Sequence, residues 1–500
     1  MRFDRLALRT LVLSLLSLLV AFGFFPVSAS ADVLQDIVKT ALESSPLAQI
    51  SAAQLKAAEA DVARARAGFL PSLNVDASTG TKHTESPALS QEMNLTEHSF
   101  GVTIAQTIFD GFSTAANVAQ QQARYASANA RYREMKERIA SNATDAYLNY
   151  LKARHNLDIA QENVKTHQKF KDRMENLAKT DPGRRFELTQ VQARLALALS
   201  IRILREANVR EAEENYTQVV GVRPPSVLTD PTLPTLPESL EATLQHLGTT
   251  SPALAIAEAD IHAASEETRI ARSALSPQIA LEASSRQGQN LGGVAGNSND
   301  MGIMLTARWN LFHGGAHDAS ERAALEGVTA AQQAKENTRR TLEERIARTW
   351  HVMHGHREAS QQFSEQVKYN IQTLQAYHDQ FRLNRRSLLD VLNAESELFS
   401  ARSSLISGRY DHMLAAYQFL ALSGHLLKTL VLDAPNSPDA PEIAPETPEI
   451  APAPETAAMD VKASEENVLI PPVKEEGALP PRTPHLPLSS HHLPQPEGIL

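Results

Sequence analysis

From Ser113 to Asp181 the chain runs for 69 residues without one glycine or proline. Within that run Val118, Tyr125, Tyr132, Ile139, Ala146, Ala153 and Ala160 recur at strict seven-residue steps, the spacing that keeps one stripe of a helix turned toward a partner helix. The pattern predicts a single helix about 100 Å long at about 1.5 Å per residue, far beyond the helices of an ordinary globular domain. Its partner candidate runs from about Ala316 to Leu383, interrupted only by Gly327 and Gly355. Each long run is followed by a return. Asp181-Pro182-Gly183 makes a turn and Arg184 to about Val220 is helical again, and Arg385 to about Leu427 repeats the arrangement. Alanine is frequent in these segments, so their backbones can pack closely.

The two halves are copies of one unit. SPLAQISAAQLKAAEADVARARAGFLPSL, residues 45–73, aligns without gaps on SPALAIAEADIHAASEETRIARSALSPQI, residues 251–279, with nine identities in 29 positions. Downstream, Phe109-Asp110-Gly111 meets Phe312-His313-Gly314, and Arg184-Arg185 meets Arg385-Arg386, at slightly smaller offsets. The second copy is therefore shorter. Much of the loss lies between Pro71 and Phe109, whose counterpart holds GQNLGGVAGNSND, so a surface loop is expected there. Each copy opens with an Ala-rich segment (Ser45 to Phe69; Ser251 to Leu275) whose Ser-Pro start suits a helix N-terminus.

Between that segment and the long helix, apolar and polar residues alternate. Leu73, Val75 and Ala77 interleave with Asn74, Asp76 and Ser78, and Val102 and Ile104 with Gly101 and Thr103. In the second copy Ile279, Leu281 and Ala283 alternate with polar neighbours, as do Ile303, Leu305, Ala307 and Trp309. Period-two strands of about ten residues are the length a tilted strand needs to cross a bilayer. The same alternation also fits a half-buried hairpin on a soluble domain, and pattern alone leaves the two open.

Charge and proline content separate the ends from the middle. The formal net charge is −10, yet residues 432–500 hold twelve Asp/Glu against three Lys/Arg, and 15 of the 27 prolines. That stretch, with its run PEIAPETPEIAPAPE, reads as a disordered or polyproline-like tail. Residues 1–31 carry a basic head (Arg2, Arg5, Arg9), an apolar run from Leu11 to Phe25 and Ala29-Ser30-Ala31, the features of a secretory signal peptide cut before Asp32. The expected organisation is signal peptide 1–31, first repeat 32–225, linker 226–250, second repeat 251–431 and tail 432–500. There is no cysteine, which excludes disulfide staples and cysteine-ligated metal sites and denies a bacterial lipoprotein its lipidation residue. A chain with no second spanning helix can still be integral to a membrane if its strands close a barrel.

Two long helical hairpins, each preceded by a strand pair, in a duplicated secreted chain resemble the TolC family of outer-membrane channel-tunnels. The matching residues are ALESSPLAQISAAQLKAAEADVARARAGFLPSL, the strand-to-helix turns IFDGF and LFHGG, and SLLDVLNAESELFSARSSLISGRYDHMLAAYQFLALSGHL. The resemblance covers Asp32 to about Lys428. It implies a mainly α fold with β: long antiparallel helical hairpins forming a periplasmic α-barrel, and four strands per protomer in a homotrimeric twelve-stranded β-barrel. It also implies a Gram-negative outer-membrane location, a periplasmic adaptor (membrane-fusion) protein and an inner-membrane ABC or proton-driven pump as partners.

The resemblance further implies a gate. Its DVLxA motif reads Asp390-Val391-Leu392-Asn393-Ala394 here, so Asp390 keeps one carboxylate of the constriction while Asn393 replaces the second. Three copies of Asp390 would favour cations in a narrow throat, with less charge than the family pattern supplies. Arg386 matches the latch arginine. Its tyrosine partner position is Phe381, which has no hydroxyl, and the acid of the first hairpin falls on Thr189, with Glu187 the nearest carboxylate. The hairpin turns that receive the adaptor correspond to Gly183 and Asn384, flanked by Arg184, Arg185, Arg385 and Arg386. Those cations either face a partner or stay solvated against the helix dipole. Trp309 and Phe312, at the end of the last strand, fit an interfacial aromatic girdle, and an ordinary packed tryptophan fits the same position.

Other features carry less. His351, His354 and His356 lie close together on the second long helix, but no ligand set for a metal accompanies them, and His485, His491 and His492 lie in the tail. Asn94-Leu95-Thr96 is a glycosylation pattern only. No nucleophile–base constellation, phosphate loop or nucleotide fingerprint is present, so no catalytic residue, cofactor or nucleic-acid partner is expected. The sequence reads as a passive exit duct of a tripartite exporter, with type I protein secretion preferred to small-molecule efflux. A periplasmic coiled-coil scaffold or adaptor is the alternative from another class.

Overall fold

The computed structural model describes residues 32–84, 93–430 and 432. The expected signal peptide and, apart from Leu432, the acidic tail with its histidines lie outside the described residues. In chain order the elements are α1 (Asp32–Ser44), α2 (Pro46–Arg66), β1 (Ser72–Thr84), β2 (Met93–Phe109), α3 (Ser113–Thr180), α4 (Arg185–Val220), α5 (Leu240–Thr250), α6 (Pro252–Ser273), β3 (Gln278–Gln289), β4 (Asn297–Arg308), α7 (Ala316–Arg382), α8 (Leu388–Leu422) and α9 (Leu426–Thr429). Helices α3 and α7 have 68 and 67 residues, which at about 1.5 Å per residue is about 100 Å each. Gly327 and Gly355 do not break α7, because one glycine costs a helix only about 1 kcal/mol. The seven heptad positions of α3 are all buried or half-buried.

The shorter helices stack end to end against the long ones. Helix α4 ends where α2 begins: the Ser44 hydroxyl donates to the Val220 carbonyl at 2.7 Å. Next to it Gly221 has φ +85°, and a Cβ there would come within 2.8 Å of Ser44 Oγ. The second repeat makes the same seam. Gly424, just after α8, has φ +74°, and a Cβ would lie 2.7 Å from the Thr250 carbonyl at the foot of α6. Two seams at matching positions follow from the duplication.

Helix α1, which periodicity did not reveal, packs Leu34, Ile37, Val38 and Ala41 against Ile139, Ala143, Tyr147 and Tyr216. Residues 222–239 form no regular element and cross this region as a strap. Three tyrosines hold it: Tyr147 donates to the Thr229 carbonyl at 2.8 Å, Tyr417 to the Thr232 carbonyl at 2.9 Å, and Tyr410 to the Asp230 carboxylate. Arg409 and His155 also reach Asp230, at 3.1 and 3.4 Å. Burial alone would raise the Asp230 carboxyl, but the Tyr410 hydrogen bond and these two neighbours hold it below its ordinary range.

The four strands form one antiparallel sheet in the order β1-β2-β3-β4, and pairing of β2 with β3 joins the two repeats. They have 13, 17, 12 and 12 residues, longer than the alternation suggested. Gly288-Gln289 and Asn297–Asp300 of the expected glycine-rich loop are strand, because backbone pairing holds polar residues where side-chain alternation no longer marks them. Register sorts the faces. One row reads Leu73, Ile104, Ala283, Ile303 and the next Val75, Val102, Ser285, Met301. The opposite face reads Asn74, Thr103, Ser284, Gly302 and then Asp76, Gly101, Arg286, Asp300, with Arg286 3.9 Å from Asp76. Ile303 is 78% exposed and Leu305 69%. Strands β1 and β4 pair with one neighbour each and leave their outer edges open.

Beside the second seam a cavity of about 780 Å³ is lined by Arg138, Asp145, Arg345 and Gln418 among others. Gln418 donates to Asp145 Oδ2 at 3.0 Å, whereas buried Oδ1 has no partner among the described residues. Burial pushes the Asp145 carboxyl up to about 6, and the Gln418 bond offsets this in part. A folded-state value above the unfolded one means the protein loses stability as pH rises from about 4 through about 6, and the whole penalty is present above that window. Asp145→Asn should therefore raise stability at pH 7.5, by about 3 kcal/mol at most, and flatten the pH dependence between 4 and 6, read by thermal unfolding across pH. Gly424→Ala should lower the unfolding temperature through its strained φ and the Thr250 clash.

Candidate gate and docking tips

At the far end of the hairpins from the sheet, all four long helices contribute to one apolar cluster: Phe170 and Met174 of α3, Val191 of α4, Phe381 of α7, and Leu388, Val391 and Leu392 of α8. Phe381 thus sits in the tip core and not against Arg386. Its ring lacks a hydroxyl to keep it wet, and it packs inward with the Arg173 guanidinium 6.0 Å from its centroid. The aromatic partner of Arg386 is Tyr377, whose ring centroid lies 3.9 Å from the guanidinium carbon. Arg386 also donates to Gln380 Oε1 at 3.2 Å and lies 3.6 Å from Asp390 Oδ2.

Asp390 also takes part in a helix cap. Ser387 is the N-cap of α8: its hydroxyl accepts from the Asp390 N–H at 3.2 Å and donates to the Asp390 carboxylate at 2.9 Å, a side-chain N-cap in which the carboxylate holds the capping hydroxyl. Helix α8 consequently starts at Leu388, three residues later than the sequence suggested. Asn393, one turn on, accepts from Arg194 of α4 at 2.8 Å. Thr189 is exposed and its hydroxyl turns back to the Arg185 carbonyl at 3.1 Å, so it makes no link to the second hairpin. Glu187 is mostly buried and pairs with Arg184 at 3.6 Å. Two further ties were not read from sequence: His378 lies 3.4 Å from Glu395 and stacks on Phe170 at 5.6 Å.

The two hairpin turns differ in construction. At the first, the Asp181 carboxylate accepts from the Gly183 N–H at 3.0 Å and pairs with Arg184 at 3.4 Å, and Gly183 does not use a left-handed conformation. At the second, Asn384 has φ +54°, and the N–H groups of Asn384 and Arg385 reach the Phe381 and Gln380 carbonyls at 3.0 and 2.9 Å, closing α7 with a Schellman turn. Arg184 and Arg386 are therefore paired locally, while Arg185 and Arg385 are exposed and make no ion pair among the described residues. No hydrogen bond or ion pair among those residues joins one turn to the other. Exposed Phe186, Leu383 and Leu389 accompany the arginines.

At the opposite end, where strands become long helices, Trp309 and Phe312 are exposed, and the Trp309 indole N–H is anchored on the Leu275 carbonyl at 3.0 Å. Phe69, Phe112 and Leu311 are exposed with them. Both turns need left-handed residues, Gly111-Phe112 in one copy and Gly314-Gly315 in the other. Asp110 supports the first by accepting from the Thr114 N–H at 2.8 Å. Among the described residues no group of three or more His, Asp or Glu side chains could hold a metal; His354 bonds the Trp350 carbonyl and packs against its ring at a tilt of 39°.

The sequence matches the outer membrane efflux protein family over residues 37–222 and 243–425. The chain belongs to the outer membrane efflux protein family. It is 22% identical to outer membrane efflux protein BepC of Brucella suis biovar 1, over 78% of this chain and 84% of that one. It is 23% identical to proteases secretion protein PrtF of Dickeya chrysanthemi, over 78% and 87%. Among solved structures, CusC superposes with a TM-score of 0.69 at 18% identity, covering 79% of this chain and 91% of that one, which shows the shared fold. This family member is an outer-membrane channel of the TolC type extending into the periplasm, built on a channel fold and not on that of an enzyme.

The cap at Ser387 generates a direct test. Ser387→Ala should cost about 1 kcal/mol and Ser387→Asn much less, measured by denaturant unfolding. If both variants cost the same, the hydroxyl does not cap α8.

Proposed function

We propose that this protein is the exit duct of a tripartite export system, working as a homotrimer that an adaptor and an inner-membrane pump open at the periplasmic tips. The observation that carries the reading is a single chain that couples a lipid-compatible sheet with two open edges to helices about 100 Å long. A sheet with one apolar exposed face is tolerated where lipid covers that face, and its edges are satisfied only by closing a barrel. Three copies supply twelve strands. The aromatic belt around Trp309 and Phe312 would sit at the periplasmic membrane interface, and the periplasmic scaffold alternative leaves the apolar face unexplained.

Within this class we favour type I protein secretion. The tip is held by an apolar cluster and a few single polar ties, with Phe381 withdrawn and Thr189 disengaged, which suits a gate that must open widely for a polypeptide. In this reading Arg386, Asp390 and Asn393 form the gate, and Gly183, Arg184, Arg185, Asn384 and Arg385 present the adaptor-facing turns. Small-molecule efflux is the second reading, favoured by the likeness to BepC.

Fractionation tests the duct. The protein should stay with outer membranes through salt and carbonate washes and leave only with detergent, as a trimer; release by carbonate alone would sink the proposal. Reversing charge at Arg184 and Arg385 together should cut crosslinking to the adaptor, and undiminished crosslinking would remove the docking assignment.

A further inference from the structure

The apolar face of the sheet changes chemistry toward the end farthest from the helices. On that face Trp309 and Asn299 lie ten positions apart, about 33 Å of strand, or about 25 Å of height at a tilt of about 40°, the height of the apolar band of an outer-membrane barrel. Phe100 shares the Asn299 row through Gln287 and is exposed, so aromatic rings mark both ends of that span. Past this row the same face reads Thr79, His98, Gln289 and Asn297, then Thr81 and Thr96, then His83 and Asn94. From Phe100 to Asn94 the strand adds about 20 Å. Thr79 Oγ1 pairs with His98 Nδ1 at 2.9 Å and His83 Nδ1 with Asn94 Oδ1 at 2.8 Å, which fixes these side chains as a ladder. Asn94, Thr96 and His98 are exposed, whereas Leu95, Glu97 and Ser99 of the opposite face are half-buried. The charges of this stretch, Lys82 and Glu97, belong to that opposite face, and among the described residues the ladder face carries no Asp, Glu, Lys or Arg.

We propose that this ladder binds the sugar layer of the outer-leaflet glycolipid. The inference rests on the duct reading, because only a sheet closed in the outer membrane brings this face to that depth. Continuity fixes the occupant: the lipid whose acyl chains cover Ile303 and Phe100 carries its headgroup past His98 and Thr96. A surface that meets water alone mixes charges of both signs, whereas this one offers hydroxyls, amides and imidazoles, the donors and acceptors that match sugar hydroxyls. Phosphate is not the group it reads, since no lysine or arginine stands on the face to pair with one. Beyond His98 strand β2 has no β3 partner, and Asn290 donates to the Thr96 carbonyl at 2.7 Å, so the β3–β4 turn closes the inner end of the ladder and leaves its outer rungs to the lipid.

The test is binding of labelled lipids to the immobilised full-length trimer in detergent, with purified lipopolysaccharide carrying its core sugars, lipid A lacking them, and phosphatidylglycerol as probes. Native trimer should prefer lipopolysaccharide to both. Replacing Thr81, Thr96 and His98 together by alanine should weaken lipopolysaccharide binding about fivefold or more, the net worth of one or more hydrogen bonds, while lipid A and phosphatidylglycerol bind as before. Lys82→Gln, on the opposite face, should leave all three unchanged. Equal affinity of native trimer for lipopolysaccharide and lipid A would overturn the sugar assignment, and so would a triple variant that binds lipopolysaccharide like the native protein. A triple variant that loses all three lipids alike would show contact with the phosphate level and overturn it as well. These outcomes leave the duct intact. A protein that carbonate washes from the membrane before any lipid is added would overturn the duct reading and this inference with it.

Discussion

Two uninterrupted helices carry the rest of this molecule. Every other described helix is about half the length of α3 or α7 or shorter and is placed by lying against them, α4 and α2 meeting at one seam and α8 and α6 at the other. Continuity in α3 and α7 lets the short helices meet head to tail without the wall losing its line. The seams in turn demand close contact between helix ends, which explains the left-handed glycines at 221 and 424 and the Ser44 hydroxyl on the Val220 carbonyl. The strap clamped by Tyr147, Tyr410 and Tyr417 then crosses this same zone and ties the two repeats together.

The sheet answers to a different solvent. Its apolar rows, from Leu73 across to Ile303, and its polar rows, from Asp76 across to Arg286, alternate in register over four strands drawn from both repeats. That division is a property of pairing and not of any single strand. A one-residue slip of β3 on β2 would turn Leu281 and Ala283 to the polar side. The tip has a third chemistry, with an apolar cluster surrounded by single hydrogen bonds and ion pairs, each of which is weak when exposed.

Much of this was legible in the sequence. The heptad run from Val118 to Ala160 marked α3, the Ser-Pro pairs marked the starts of α2 and α6, and the duplicated blocks marked the second set of elements. Residues of IFDGF, LFHGG and DVLNA carried the family likeness. What stayed hidden depended on contacts distant in sequence. Helix α1 has no long period to announce it and is defined by burial against α3 and α4. The stacking of Arg386 on Tyr377, and the inward turn of Phe381, follow from where four helices converge. The S-x-x-D spacing of Ser387 and Asp390 is a capping pattern legible in the sequence, although the same aspartate also belongs to the motif that carries the family likeness.

The pairing of β2 with β3 bears on how the molecule is made. His98 meets Gln289 and Thr107 meets Ala280, partners separated by the whole first long hairpin, the strap, α5 and α6. Contacts so distant along the chain form late, because closing the intervening loop must precede any gain from pairing. The first strand pair therefore has to wait, with its apolar rows uncovered, until the second repeat has emerged and folded back. The interval before β3 reaches β2 is when the uncovered strand edges are most exposed to aggregation.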